Sequence, residues 1–110
     1  MANTFYRKFS GNVGNTAVTL GSYTVGSATT VVVVGLSVSN VTGSTINASV
    51  YINNGASNYY LVKSAPVSAG GALVLVGGDQ KMVLQTGDNV KVVSDTATSI
   101  DAAMSIMEIT

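Results

Sequence analysis

The nine residues 45–53, TINASVYIN, alternate apolar and polar side chains more cleanly than the rest of the chain. The apolar members are Ile46, Ala48, Val50 and Ile52, and the polar members are Asn47, Ser49, Tyr51 and Asn53. A period of two is typical of a β-strand that packs one face on a core. The segment Asn53–Asn58 follows and contains Asn54-Gly55, the strongest short hairpin signal, because both residues tolerate positive φ. This stretch therefore predicts a strand and a hairpin loop.

The same pattern extends in both directions from this strand. Val, Thr, Ile and Tyr dominate the periodic segments, and Gly, Asn and Ser dominate between them, which is typical of strands joined by turns. The other predicted strands are Phe5–Phe9, Thr16–Val25 with a bend at Gly21-Ser22, Thr30–Asn40, Tyr59–Lys63, Ala72–Val76, Lys81–Gln85, Asn89–Ser94 and Ile100–Ile109. Turns are expected at Val41–Ser44, Gly77–Asp79 and Thr86–Asp88, and Pro66 with Gly70-Gly71 is expected to frame a connection.

The continuous run Val31–Val34 differs from its surroundings, because it lacks the alternation that resumes at Gly35. An unbroken apolar run predicts a strand that is covered on both faces. Eight or nine short strands with turn signals at intervals of about eight to twelve residues favour an all-β, antiparallel sandwich, either a jelly roll or an immunoglobulin-like fold. We expect an N-terminal strand or arm over residues 1–15 and a β-sandwich domain over residues 16–110.

The charge content is low for a chain of 110 residues. Asp, Glu, Lys and Arg make up 9% of the chain, against about 25% in typical proteins, and the formal net charge is zero. A dispersed monomer keeps a surface dense in mixed charges, whereas interface cores are depleted of charged residues. The composition therefore favours a subunit of a larger assembly, with a polar, uncharged secreted or thermostable domain as the alternative.

Most catalytic and metal-binding chemistry lacks its residues here. The chain has no histidine and no cysteine, so a Ser-His-Asp arrangement and a thiolate site are excluded. We expect no enzyme activity, no cofactor and no metal site. Asp79, Asp88 and Asp95 fall in or beside turns, where Asp usually bonds its own backbone. Together with Asp101 they could converge on calcium, but no EF-hand spacing supports this.

The same reasoning argues against nucleic-acid and membrane partners. Arg7-Lys8 is the single adjacent basic pair in a chain of zero net charge, which leaves no electrostatic footprint for nucleic acid. The longest apolar run, Val31–Val38, is far shorter than the about 20 residues that a membrane helix needs. The first eight residues lack a signal-peptide core, so we expect synthesis in a host cytoplasm.

Two groups of side chains are candidate binding residues. Tyr51, Tyr59 and Tyr60 could stack on a sugar ring, or a Tyr51–Tyr59 pair could simply stabilise the sheet, with one neighbouring tyrosine inside and one exposed. The segment Phe5–Phe9 holds both phenylalanines of the chain beside its basic pair. It is either an edge strand of the sandwich or an arm that adds a strand to a neighbouring subunit. The candidate interface residues are Phe5, Tyr6, Arg7, Lys8 and Phe9.

Several motifs resemble those of small virion proteins from tailed bacteriophages, notably phages of marine cyanobacteria. They are the opening MANTFYRK (1–8), YLVKSAP (60–66), GGDQK (77–81), GDNVKV (87–92) and the ending MSIMEIT (104–110). The likeness spans nearly the whole chain, but its motifs are strand and turn patterns. It implies a β-sandwich present in many copies on a virion, and it carries over no binding residues.

The sequence and the resemblance together predict a phage virion structural protein. The expected role is a capsid decoration or cement protein that forms a homo-oligomer and binds the major capsid protein or other virion proteins. A component of the neck, tail or baseplate is a close alternative. A carbohydrate-binding or adhesin module is the alternative from another functional class.

Overall fold

A computed structural model of the chain describes residues 3–77 and 81–110, and this part is all-β. Within these ranges no helix has the length and apolar character needed to cross a membrane. The strands are β1 (Asn3–Val13), β2 (Val18–Thr24), β3 (Thr30–Asn40), β4 (Ile46–Asn53), β5 (Asn58–Val67), β6 (Ala72–Val76), β7 (Met82–Leu84), β8 (Asn89–Ser94) and β9 (Ile100–Ile109). The predicted bounds of β3, β6, β8 and β9 are confirmed at both ends.

The strand pairing is that of one long hairpin folded over itself. Its tip is β4 paired with β5; behind the tip β3 pairs with β6 and β7, β2 with β8, and β1 with β9, all antiparallel. The fold-over adds pairs of β9 with β3 and of β8 with β4. Two sheets result, β1-β9-β3-β6 with β7 also on β3, and β2-β8-β4-β5. This is the jelly-roll form of the predicted sandwich.

The core lies between the inner faces of the two sheets. From β3 and β9 come side chains such as Val31, Val33, Met104 and Ile106, and they meet the inner side chains of β4 and β8. The predicted inward set of β4 is confirmed, since Ile46, Ala48 and Val50 are buried and Ile52 packs partly buried against them. The alternation read in residues 45–53 therefore marks which face of β4 meets the core.

The strand β3 departs from its prediction on the outer side. Val31 and Val33 are fully buried by the opposite sheet, but Val32 points outward and is only half-buried. Among the described residues, no second layer of this chain lies over the outer face of that sheet. The apolar run Val31–Val34 is thus covered on one face by its own chain.

The edge strand β5 corrects the predicted connection at Pro66. Pro66 lies inside β5 and pairs with Asn47 of β4. A proline cannot donate to a ladder, but an edge strand tolerates it because one side of the strand has no neighbour. The predicted strand Tyr59–Lys63 is therefore too short at its C-terminal end.

The predicted bend at Gly21-Ser22 is confirmed. Gly21 has a φ of +62° and Ser22 a φ of 54°, and the pairing of β2 with β8 shifts register there. A Cβ on Gly21 would lie 2.6 Å from Cβ of Lys8, so this position needs glycine for both conformation and space. Its N–H donates to Oγ of Ser10 at 2.8 Å, which ties β2 to β1 across the sandwich.

Two predicted turns have different outcomes. The turn Thr86–Asp88 is confirmed, with Gly87 at φ +90° and the Asp88 N–H donating to the Gln85 carbonyl at 2.9 Å. The turn predicted at Gly77–Asp79 includes Gly78 and Asp79, which lie outside the described residues.

Candidate interaction surfaces

The register of the β1-β9-β3-β6 sheet sorts the predicted interface residues onto two faces. Tyr6 and Lys8 pair with the buried Ile106 and Met104, so they share the inner face. Phe5, Arg7 and Phe9 alternate with them and lie on the outer face. Three of the five candidate residues are therefore presented outward.

The outer face carries two apolar rows that run across the strands. One row is Phe5, Met107, Val32 and Val83. The other is Phe9, Ala103, Ser37 and Val74. We call the surface formed by these two rows the apolar face.

The apolar face is widely open to solvent in the isolated chain. Val74 is 73% exposed, Phe5 71%, Phe9 61% and Val83 59%. Single exposed apolar residues are normal, but several large ones on one face of a sheet mark an interaction surface. The run Val31–Val34, from which we predicted a strand covered on both faces, contributes its outward member Val32 to the middle of the first row.

Two charged side chains of opposite sign flank the row of Phe9. Arg7 lies on one side, opposite Ser105, and its guanidinium carbon is 5.5 Å from the centre of the Phe9 ring. Asp101 lies on the other side, opposite Ser39, and its Oδ1 accepts the N–H of Asn12 at 3.1 Å. Within the described part of the chain, neither residue forms an ion pair with a charge of opposite sign.

A groove of about 290 Å³ opens on this face beside Phe9. Its lining combines small side chains, hydroxyls, one aromatic ring and one carboxylate: Phe9, Ser10, Gly11, Ser37, Ser39, Asp101, Ala102 and Ala103. Because Gly11 and Ala103 are short, the Phe9 ring forms a raised wall. The groove is chemically suited to a cationic or polar group that can contact a ring and a carboxylate together.

The inward residues Tyr6 and Lys8 belong to a cluster at the rim between the sheets. The Lys8 Nζ is 4.7 Å from the centre of the Tyr23 ring and 5.3 Å from that of Tyr6. The Tyr23 hydroxyl donates to the carboxylate of Glu108. Burial, then this hydrogen bond and the charge of Glu108, raise the pKa of Tyr23 above its ordinary value. Lys8 is thus engaged within the chain rather than directed outward.

The tyrosines lie on the other sheet, and their predicted pairing is wrong by one residue. Tyr51 pairs with Tyr60, with ring centres 4.8 Å apart and planes tilted by 42°, while Tyr59 pairs with Ile52. A bulge at Leu61 shifts the register between Val50 and Tyr51. The expected division into one inside and one exposed tyrosine is also wrong, since Tyr59 is 60% and Tyr60 46% exposed.

The carboxylates of Asp88 and Asp95 accept backbone N–H groups, and that of Asp95 bonds to a residue outside its own turn. Asp88 accepts the N–H of Gln85 within its turn, as predicted. Asp95 accepts the N–H of Asn47 and the hydroxyl of Thr96, and the first of these bonds is the main cause that lowers its pKa. In residues 3–77 and 81–110, no three acidic side chains come together as a metal site. The calcium candidate Asp79 lies outside those residues.

Comparison with known proteins gives similarity of fold. No protein-family model and no curated protein matches the chain. A solved structure from Bacillus endospore appendages, described as disulfide-linked pili, is similar with a TM-score of 0.57 and 14% identity, covering 99% of this chain and 87% of that one. Its low identity makes this a likeness of fold alone.

Two weaker similarities are to viral proteins. A pentameric capsid protein isolated from metagenomic phage sequences has a TM-score of 0.43 and 22% identity, covering 94% of this chain and 59% of that chain. A structure of the virus-like particle of the giant freshwater prawn (Macrobrachium rosenbergii) extra small virus has a TM-score of 0.47 and 12% identity, covering 98% and 80%.

Proposed function

We propose that the chain is a structural protein of a tailed-phage virion, acting as a decoration or cement protein on the head. The observation that carries the proposal is the apolar face, which leaves Phe5, Phe9, Val74 and Val83 uncovered. Burying one such side chain is worth about 1.5–3 kcal/mol. We propose that this face stabilises the lattice by packing against the major capsid protein or another virion protein.

The edge strand β1 supports the same role. Its pairing with β9 is regular from Asn3 to Ser10, and its other edge has no partner strand in the described part of the chain. By contrast, the edge strand β5 carries Pro66 and two register shifts, features that discourage pairing with other chains. We therefore assign the segment Phe5–Phe9 as the interface segment, able to pair with a strand of a neighbouring subunit.

The similarity to a pilus protein points to a different assembly. The pili of that structure are described as disulfide-linked. This chain has no cysteine, so copies of it could not be linked in that way. We therefore favour the virion, in line with the resemblance to phage proteins in the opening and closing motifs.

A carbohydrate-binding role is the second candidate, favoured by the exposed rings of Tyr59 and Tyr60. The Tyr51 and Tyr60 rings are tilted by 42° and Lys63 Nζ lies 5.2 Å from the Tyr60 ring centre, so the pair does not form a flat stacking platform. Tyr59 would carry most of the stacking. A glycan array tests this role, and binding that is lost in Tyr59→Ala would support it.

The experiment for the virion role is quantitative mass spectrometry of purified particles. We expect the chain in the particle, and its absence from particles would end the proposal. A copy number in the hundreds supports a decoration protein of the head, whereas about six to a few tens would place it in the neck, tail or baseplate.

A further inference from the structure

We infer that the apolar face binds a second copy of this chain through a two-fold interface in which Arg7 of each copy pairs with Asp101 of the other. The inference rests on the part of the proposed function that makes this face an assembly surface, and it names the occupant.

Arg7 and Asp101 lie symmetrically about one row of the sheet. Phe9 and Ala103 are register partners on β1 and β9. Arg7 is two residues from Phe9 along β1, and Asp101 is two residues from Ala103 along β9, in the opposite direction. At about 3.4 Å per residue, the two charges are roughly 14 Å apart along the strands, with the Phe9–Ala103 row midway.

This placement is self-complementary under a two-fold rotation. Suppose that two copies stack with their apolar faces together. The two-fold axis then lies between the two sheets, parallel to them and perpendicular to the strands, at the level of Phe9 and Ala103. Each Arg7 then lies at the level of the other copy's Asp101, offset sideways by one strand spacing of about 4.8 Å, which an arginine side chain spans. An isologous interface requires this reciprocity, so both ion pairs form together.

The groove beside Phe9 supplies the partners that a guanidinium prefers. Its carboxylate, Asp101, shares the lining with the hydroxyls of Ser37 and Ser39 and with the Phe9 ring. A guanidinium can pair with the carboxylate and contact the ring at once. The row of Phe5, Met107, Val32 and Val83 lies four residues from the axis along the strands, so in this arrangement it faces the level of the other copy's exposed Val41.

Charge also makes a second copy a better occupant than an unrelated surface. The part of the face between Arg7 and Asp101 carries one positive and one negative charge. It is therefore neutral, and its charges are complementary to those of a second copy. Two stacked copies leave no unpaired charge at the interface, which avoids the cost of burying an isolated ion.

A charge-swap series in the purified full chain tests the inference by sedimentation velocity. We expect the wild type to associate in even numbers, and Arg7→Asp or Asp101→Arg alone to weaken association about a hundredfold, because each puts like charges together. The double variant Arg7→Asp/Asp101→Arg should recover most of the wild-type affinity. Lys63→Asp, the same charge reversal on the other sheet, is the matched control and should associate like the wild type.

Because Asp101 also accepts the Asn12 N–H, Asp101→Asn keeps an acceptor at this position and separates charge from local structure. It should weaken association while circular dichroism and thermal unfolding stay those of the wild type. A wild type that stays monomeric at millimolar concentration, or a double variant no tighter than the singles, would overturn the inference. Either result would leave the virion role standing if the chain is found in particles. An associating chain that is absent from particles would instead overturn the virion role alone.

Discussion

The outer faces of the two sheets differ in their chemistry. On the β2-β8-β4-β5 sheet, one row is Thr19, Lys91, Tyr51 and Tyr60. These side chains satisfy one another, since Lys91 Nζ donates to Thr19 Oγ1 at 2.7 Å and the two tyrosine rings are in contact. On the other sheet, one row consists of Phe5, Met107, Val32 and Val83. These side chains have no hydrogen-bonding groups, so only the removal of their apolar surface from water lowers the free energy.

The comparison shows that a chain with so few charges can still have one hydrophilic sheet face and one apolar sheet face. The polar face uses hydroxyls, amides and two lysines, Lys63 and Lys91, that contact neighbouring side chains of the same sheet. The apolar face keeps its two opposite charges apart, so each is free to pair outside the chain. The two faces therefore differ in how their few charges are engaged, not in how many charges they carry.

The largest expected effect is on the free energy of unfolding. It compares two consecutive residues, one on the inner face of the sheet and one on its outer face. Ile106 is fully buried, and Met107 lies in the outer apolar row. Ile106→Ala should lower the free energy of unfolding by about 2–5 kcal/mol, because it leaves a cavity. Met107→Ala should cost less than about 1 kcal/mol in the monomer. Urea unfolding of both variants, at concentrations where the chain is monomeric, checks this, and equal losses would contradict the assignment of faces.

An intermediate effect is expected from a charge placed on the apolar face. Val74→Asp should leave the free energy of unfolding within about 0.5 kcal/mol of the wild type, because Val74 is exposed. It should weaken self-association by about tenfold or more, since the carboxylate would be desolvated in the interface. Leu61→Asp is the matched control, because Leu61 is an exposed aliphatic residue on the other sheet. Sedimentation that is altered equally by both variants would argue against a specific face.

The smallest expected effect concerns the carboxylate of Asp95, which accepts the N–H of Asn47 near the start of β4. The Asn47 N–H holds the pKa of Asp95 below its usual range, so ionised Asp95 stabilises the fold above the unfolded pKa of about 3.9. This contribution is lost as pH falls through the lower folded pKa. The Tm of Asp95→Asn should therefore lie below that of the wild type at pH 7, and the gap should close in strong acid. A gap that is unchanged at low pH would contradict this origin.

The strands were predictable because their signals are local. Alternation and turn residues are enough to place β3, β6, β8 and β9 at their observed bounds. Pro66 and the Tyr51–Tyr60 pair were missed for a different reason. Both depend on β5 being a bulged edge strand, and edge position is a property of the whole sheet rather than of residues 58–67.

The candidate surface was only partly predictable for the same reason. The segment Phe5–Phe9 stands out in the sequence, and its alternation separates Phe5, Arg7 and Phe9 from Tyr6 and Lys8. Val74, Val83 and Asp101 join that surface only through the pairing of β3 with β6, β7 and β9, which links distant parts of the chain. No local pattern in the sequence brings those residues together.

The pairing of β1 with β9 has a consequence for how the protein is made. A ribosome produces β1 first and β9 last, and Asn3 at the start of β1 is the register partner of Ile109. The strand β1 must therefore wait until the strands β2 to β9 have been synthesised before it can pair with β9, and such distant contacts make folding slow. During that delay the nascent segment with Phe5 and Phe9 is unpaired, when a chaperone or an already completed copy could capture it.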